Sequence, residues 1–198
     1  MTDGLRLIHA SDKGDTETVG SLLKKGVYVH AQDREGRCAL VAAAYKNRLE
    51  IIDILIAAGA DVNMKDDTLQ NAYLIATSDG YYELLMKTLA AGADVHCTDS
   101  YNGTGLIRAA DRGHVDIIKE LLKTKIRVNH INKLGWTALH EAVILGDGGA
   151  RHTEVVRLLA EAGADVNLPD RDGTAPLAHA RSRGFTEIAR ILKNHGAM

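Results

Sequence analysis

The chain has 198 residues, 45% hydrophobic and 25% charged, and a net charge of −2 with its nine histidines neutral. No broad basic field is available to attract a phosphate backbone, so nucleic acid is not expected as a partner. Two prolines, one Phe, one Trp and many alanines suit short helices packed through small side chains, and disfavour a sheet rich in β-branched and aromatic residues.

From the amino terminus onward, Met1 to Arg6 shows no basic segment followed by an apolar run, so no signal peptide is read there. The longest apolar run, near Ile51 to Ala60, is interrupted by Asp53 and Gly59 and is too short to span a membrane. Two cysteines without paired spacing suggest free thiols in a reducing compartment. The expected location is the cytoplasm, with no membrane partner.

A fixed period then decides the architecture. Alanine recurs at 10, 43, 76, 109, 142 and 180, and valine at 29, 62, 95, 128 and 166. The step is 33 except for a final 38 in each series. The acidic series Glu17, Glu50, Glu83, Asp116, Glu154 and Glu187 takes its step of 38 one interval earlier, while Gly113 to Gly146 is still 33. Five extra residues therefore lie between Gly146 and Glu154, with Asp147 to Arg151 the natural candidate.

In the first unit, Thr16, Thr18 and Ser21 replace apolar residues of the interior units, as a capping end requires. The second unit shows the design most simply. Asp33-Arg34-Glu35-Gly36 reads as a turn, with Asp bonding its own backbone and Gly36 taking positive φ. A helix is predicted from Ala39 to Tyr45 and another from Leu49 to Ala57, with Gly59 as the stop signal. In the fourth and fifth units Thr104 and Thr137 stand at N-cap positions, and in the sixth Pro176 suits the first helical position. Asn102 takes the slot of Gly36, and asparagine is the next most tolerant residue of left-handed backbone. The last unit carries Arg190, Lys193 and Asn194 around Ile188, Ile191 and Leu192, again a polar cap.

The clearest copy of the unit contains Thr137-Ala138-Leu139-His140-Glu141-Ala142, which departs from the T-P-L-H-x-A signature only at Ala138. With the GADVN endings at 59–63 and 163–167, GADVH at 92–96 and the helix GHVDIIKELL at 113–122, the chain resembles the ankyrin repeat family over essentially residues 3–198. The resemblance implies an all-α repeat solenoid of six stacked helix–turn–helix units with β-turn fingers. As one ankyrin repeat domain over 1–198, the units run about 3–30, 31–63, 64–96, 97–129, 130–167 and 168–198, with the five-residue insertion near 147–151. The array is expected to fill the chain, with no room for a second domain.

The third unit fits least well. Leu69 replaces the turn glycine, Tyr73 the usual Leu, and Lys87 and Thr88 stand where the second helix is expected to be apolar. Two readings stay open: drift with a locally shifted helix, or a layer that trades stability for recognition. For the insertion, Gly148-Gly149 suggests a flexible link, either reaching a partner or simply tolerated.

Catalytic chemistry is not indicated, and no catalytic, cofactor-binding or metal residue is assigned. His140-Glu141 lacks the second histidine of a zinc protease, since position 144 is Ile. His30 and His96 are two units apart, about twice the ~8–10 Å between neighbouring helix layers, and cannot share a metal. The glycines at 103, 105, 148 and 149 precede no lysine of a phosphate loop, and nothing marks a nucleophile elbow.

Stacked repeats present a concave surface, and the resemblance implies that turn tips and first helices line it. The slots free of packing duty give Arg34, Arg37, Tyr45 and Lys46 in the second unit, Tyr101 and Arg112 in the fourth, and Leu134, Trp136, Ile144 and Leu145 in the fifth. The fifth set is mostly apolar and holds the only Trp, the composition of an interaction site. The alternative is that Trp136 covers the neighbouring turn and Ile144-Leu145 pack beneath the inserted loop. The expected function is a non-catalytic module, a monomer, binding another protein or peptide. The alternative is the regulatory subunit of an enzyme, or an enzyme with an unrecognised site.

Overall fold

In the computed structural model, which describes residues 1–198, helices come in pairs because each unit supplies two short apolar stripes separated by a helix stop. The pairs are α1 (Asp3–Lys13) with α2 (Thr16–Lys24), α3 (Ala39–Tyr45) with α4 (Leu49–Ala57), and α5 (Ala72–Asp79) with α6 (Tyr82–Ala90). They continue as α7 (Gly105–Arg112) with α8 (Val115–Leu122), α9 (Ala138–Ile144) with α10 (Ala150–Glu161), and α11 (Pro176–Ser182) with α12 (Thr186–Asn194). No strand forms. The extended backbone amounts to two isolated bridges, Gln32 to Cys38 and Thr98 to Thr104. The architecture is all-α, as the repeat predicts. No helix is long and apolar enough to cross a membrane.

The chain divides into two compact units, residues 1–76 with 81–94, and residues 77–80 with 95–198. In the first, α1 lies against α3, while α2, α4 and α6 follow one another as a second layer. In the second, α7, α9 and α11 form one layer and α8, α10 and α12 the other. Small side chains allow the close approach: Ala39, Ala42, Ala43 and Ala44 of α3 are all buried. The larger core residues come from both helices of a pair, including Leu40, Tyr73, Leu74, Leu106 and Ile107 on first helices and Ile51, Ile52, Leu55, Ile117, Ile118 and Leu121 on second ones. Each such side chain contributes about 1.5–3 kcal/mol when fully buried.

Helix starts follow the expected chemistry. Thr104 Oγ1 accepts from the amide of Ile107. Thr137 Oγ1 accepts from the amide of His140, whose Nδ1 accepts from the amide of Thr137, so the two residues close a reciprocal cap. At the same slot of the third unit Asn71 Oδ1 accepts from Leu74 N at 2.8 Å. His140 is fully buried and structural, and burial holds its imidazole below the usual histidine range.

Asparagines clamp successive layers. Asn63 donates to Gly92 O and accepts from Asp94 N, and Asn129 does the same with Gly163 and Asp165. Asn167 repeats the arrangement with Gly196 and Met198.

Two expectations need correction. In the third unit α6 is not shifted. Lys87 occupies a half-exposed slot, where its Nζ pairs with Asp53 at 2.7 Å, so its position was never a core one. Thr88 is fully buried in the core, and its Oγ1 donates to Leu85 O at 2.9 Å, which satisfies the hydroxyl inside its own helix. The insertion, moreover, is not a flexible link. Helix α10 begins at Ala150, so part of the added length is helical. Asp147 Oδ1 accepts from Gly149 N and lies 2.8 Å from His152 Nδ1, while His152 Nε2 lies 3.1 Å from the carbonyl of Asp111. Arg183 adds hydrogen bonds to the carbonyls of Ile144 and Gly146.

Candidate partner-binding surface

The turn fingers are built alike. Asp33, Asp66, Asp99, Asn132 and Asp170 each accept, through one side-chain oxygen, the amides two and four residues on. This needs left-handed backbone one residue before the fourth position, supplied by Gly36, Leu69, Asn102, Gly135 and Gly173. Leu69, at φ 63°, is the strained member. Adjacent fingers are tied together: Asp67 N donates to Glu35 O in the first unit, and Lys133 N donates to Tyr101 O at 2.8 Å in the second. Lys133 Nζ also reaches Ser100 O.

Two of these tied fingers and the helices α7 and α9 enclose a cavity of about 270 Å³. Asp99, Arg108, Asp111, Asn132 and Glu141 supply its polar lining, and Tyr101, Ile107, Leu134 and Leu145 its apolar lining. Three of the apolar side chains are exposed: Tyr101 by 60%, Leu134 by 45% and Leu145 by 51%. Glu141 is only 4% exposed and accepts from Asn132 Nδ2 at 2.7 Å through Oε1. Burial, reinforced by the charge of nearby Asp111, pushes its carboxyl up to about 7. Asp99 Oδ2 lies 3.5 Å from Arg108 Nε.

The residues singled out in the sequence divide between the two units. Arg34, Arg37, Tyr45 and Lys46 belong to the first. There Arg37 is held by Asp33 at 2.8 Å, and Tyr45 donates to Asp66 Oδ2 at 2.7 Å. Arg34 and Lys46 are exposed. In the second unit the structure brings Tyr101, Leu134 and Leu145 to one cavity. Trp136, Ile144 and Arg112 do not line it; Trp136 and Ile144 are half-buried and Arg112 is exposed. Leu145 is not covered by the insertion, contrary to the packing alternative. Sequence reasoning missed Glu141 and Asn132. The available signal was a glutamate inside an otherwise apolar helix, facing the one asparagine among the turn aspartates.

Comparison with known proteins follows the same lines. A family model described as ankyrin repeats matches residues 6–66 and 73–170. The putative ankyrin repeat protein YahD of Escherichia coli (strain K12) is 51% identical over 80 residues, 40% of each chain. Protein phosphatase 1 regulatory subunit 27 of Mus musculus is 41% identical over 73 residues, 37% of this chain and 44% of that protein. The matched stretches thus cover less than half the length of these curated relatives. A crystal structure of an ankyrin repeat domain from Acinetobacter baumannii AYE is 44% identical, with a TM-score of 0.95 over 98% of both chains.

Proposed function

This chain belongs to the ankyrin repeat family, whose repeats are protein–protein interaction modules, and we propose that it binds a partner protein or peptide through the concave face formed by turn tips and first helices. The observation that carries this reading is the grouping of Tyr101, Leu134 and Leu145, three exposed apolar residues on one polar-floored cavity. Apolar clusters rimmed by polar groups are the usual anchors of an interface. Trp136 and Ile144 flank this centre in sequence, with Arg112 as a charged rim residue. Within the first unit, Arg34, Arg37, Tyr45 and Lys46 are the residues proposed to meet a partner. The mechanism is preorganised display: the side-chain hydrogen bonds of each finger fix its tip before any partner arrives, so binding orders little further chain. The module acts without catalysis, as a monomer, and two free thiols fit the reducing cytoplasm.

Affinity capture with wild type and a Leu134→Ala/Trp136→Ala double variant, both checked by circular dichroism, tests the surface. Partners retained by the wild type and lost by the double variant are expected. Equal retention by a folded double variant would show that the centre lies elsewhere. The likeness to a phosphatase regulatory subunit favours one second reading, in which the partner is an enzyme whose activity is adjusted by binding. A captured enzyme whose kcat or KM is unchanged by saturating module would remove it.

A further inference from the structure

Resting on that reading of the surface, we propose that the cavity beneath Tyr101, Leu134 and Leu145 receives a long cationic side chain, arginine or lysine, of the partner protein. Its polar lining carries three acids, Asp99, Asp111 and Glu141, against one base, Arg108. Asp99 is already committed, with two turn amides on Oδ1 and Arg108 beside Oδ2. That leaves Asp111 and Glu141. Asp111 accepts through Oδ2 from Nε of the exposed Arg112 at 3.3 Å, which leaves its Oδ1. Glu141 is the sharper indicator: it is nine-tenths buried, Oε1 is taken by Asn132, and Oε2 accepts no hydrogen bond. A carboxyl so largely withdrawn from water is costly to charge without a partner. An ammonium or guanidinium entering from the mouth supplies both the donor and the compensating charge.

The rest of the cavity fits the same occupant. A long basic side chain has a methylene stem that lies on apolar surface while its head meets the acids, and Leu134, Leu145 and Ile107 provide that surface. Tyr101 at the mouth adds a ring face of the kind that attracts cations. At about 270 Å³ the space is below the roughly 300–1,000 Å³ of small-molecule pockets. One side chain delivered by a larger partner fits that size better than a free cofactor. An anionic side chain would meet Asp111 and Glu141, and a neutral one would leave their charge uncompensated.

The test is an NMR titration of the full ¹⁵N-labelled chain with the Nα-acetyl methylamides of arginine, lysine and citrulline, the last a neutral shape-match of arginine. Saturable shifts of the Gly103, Asn132, Glu141 and Leu145 amides are expected with a cationic probe, at least tenfold weaker with citrulline. Glu141→Gln and Asp111→Asn should each weaken the cationic probe severalfold. Should Glu141→Gln fail to fold, Asp111→Asn alone carries the comparison. Equal binding of citrulline, shifts that do not saturate or lie elsewhere, or cation binding untouched by the folded variants would overturn the assignment. Partner capture that depends on Leu134 and Trp136 without saturable cation binding would remove the pocket and leave the surface. Saturable cation binding by a chain that retains no protein would overturn the partner as its source.

Discussion

Asn132 donates from Nδ2 to Oε1 of Glu141 at 2.7 Å, and it is the only one of the five turn residues 33, 66, 99, 132 and 170 that is not an aspartate. The helix residue nine positions on is matched to each neighbour. Arg108 faces Asp99 at 3.5 Å, and His179 faces Asp170 at 2.7 Å. Where the helix carries an acid, the turn has given up its charge but kept the oxygen that accepts the two backbone amides. Asn132→Asp is therefore expected to destabilise by about 1–3 kcal/mol, through loss of a buried donor and gain of a like charge. Adding Glu141→Arg should recover most of that loss. Urea denaturation of the single and double variants checks both.

Glu141 also makes stability depend on pH. Its folded value of about 7 lies above the ordinary 4.5, so the folded chain holds this proton more tightly than the unfolded one. The associated stability is fully present below about 4.5 and is lost as pH rises through 7, about 3 kcal/mol at most. His140, held low by burial, acts in the opposite direction, losing stability as pH falls through the ordinary histidine range. The clean readout is thus the difference between wild type and Glu141→Gln. That difference should move against the wild type between pH 4.5 and 7.5, with a flat difference refuting the burial argument.

Leu69 sits at φ 63° in a turn where glycine or asparagine serves elsewhere. Left-handed backbone costs a branched residue about 1–2 kcal/mol, while glycine costs about 0.5–1 kcal/mol in chain entropy. Leu69→Gly should therefore stabilise by roughly 0.5–1 kcal/mol, seen as a higher Tm and slower hydrogen exchange from Asp67 to Gln70. A lower Tm would mean that the leucine, 45% exposed, packs more than its position suggests.

Arg183 closes the insertion by bonding the carbonyls of Ile144 and Gly146, and its guanidinium lies 4.7 Å from the Phe185 ring centroid. Arg183→Ala should speed hydrogen exchange over residues 146–152 and cost about 1 kcal/mol. Unchanged exchange would show that Asp147 and His152 suffice.

Much of this was legible from residue spacing. The bounds of α3 and α4, the threonine caps at 104 and 137, and left-handed Asn102 follow from period and local chemistry alone. The rest depended on neighbours that spacing does not reveal. A glutamate in a helix reads as a solvated residue until the adjoining turn and α7 are seen to enclose it. Thr88 reads as a core defect until its hydroxyl is found bonded to Leu85 O within its own helix. Gly148 and Gly149 read as a loose joint, yet Asp147 holds the amide of Gly149, and Arg183 holds the carbonyl of Gly146 just before them. Trp136, prominent by its rarity, is half-buried and stands outside the cavity that its neighbours Leu134 and Leu145 line.

The asparagine clamps carry one more consequence. Asn63 reaches residues 29 and 31 positions ahead, whereas Asn129 makes the same two bonds to residues 34 and 36 ahead. Five added residues have changed the sequence separation without changing which groups are joined. The same bonds between layers thus form whether 29 or 34 residues separate the asparagine from the glycine carbonyl it meets. The α9–α10 connection is therefore a splice point, where foreign loops can be grafted while the layers on either side keep their spacing.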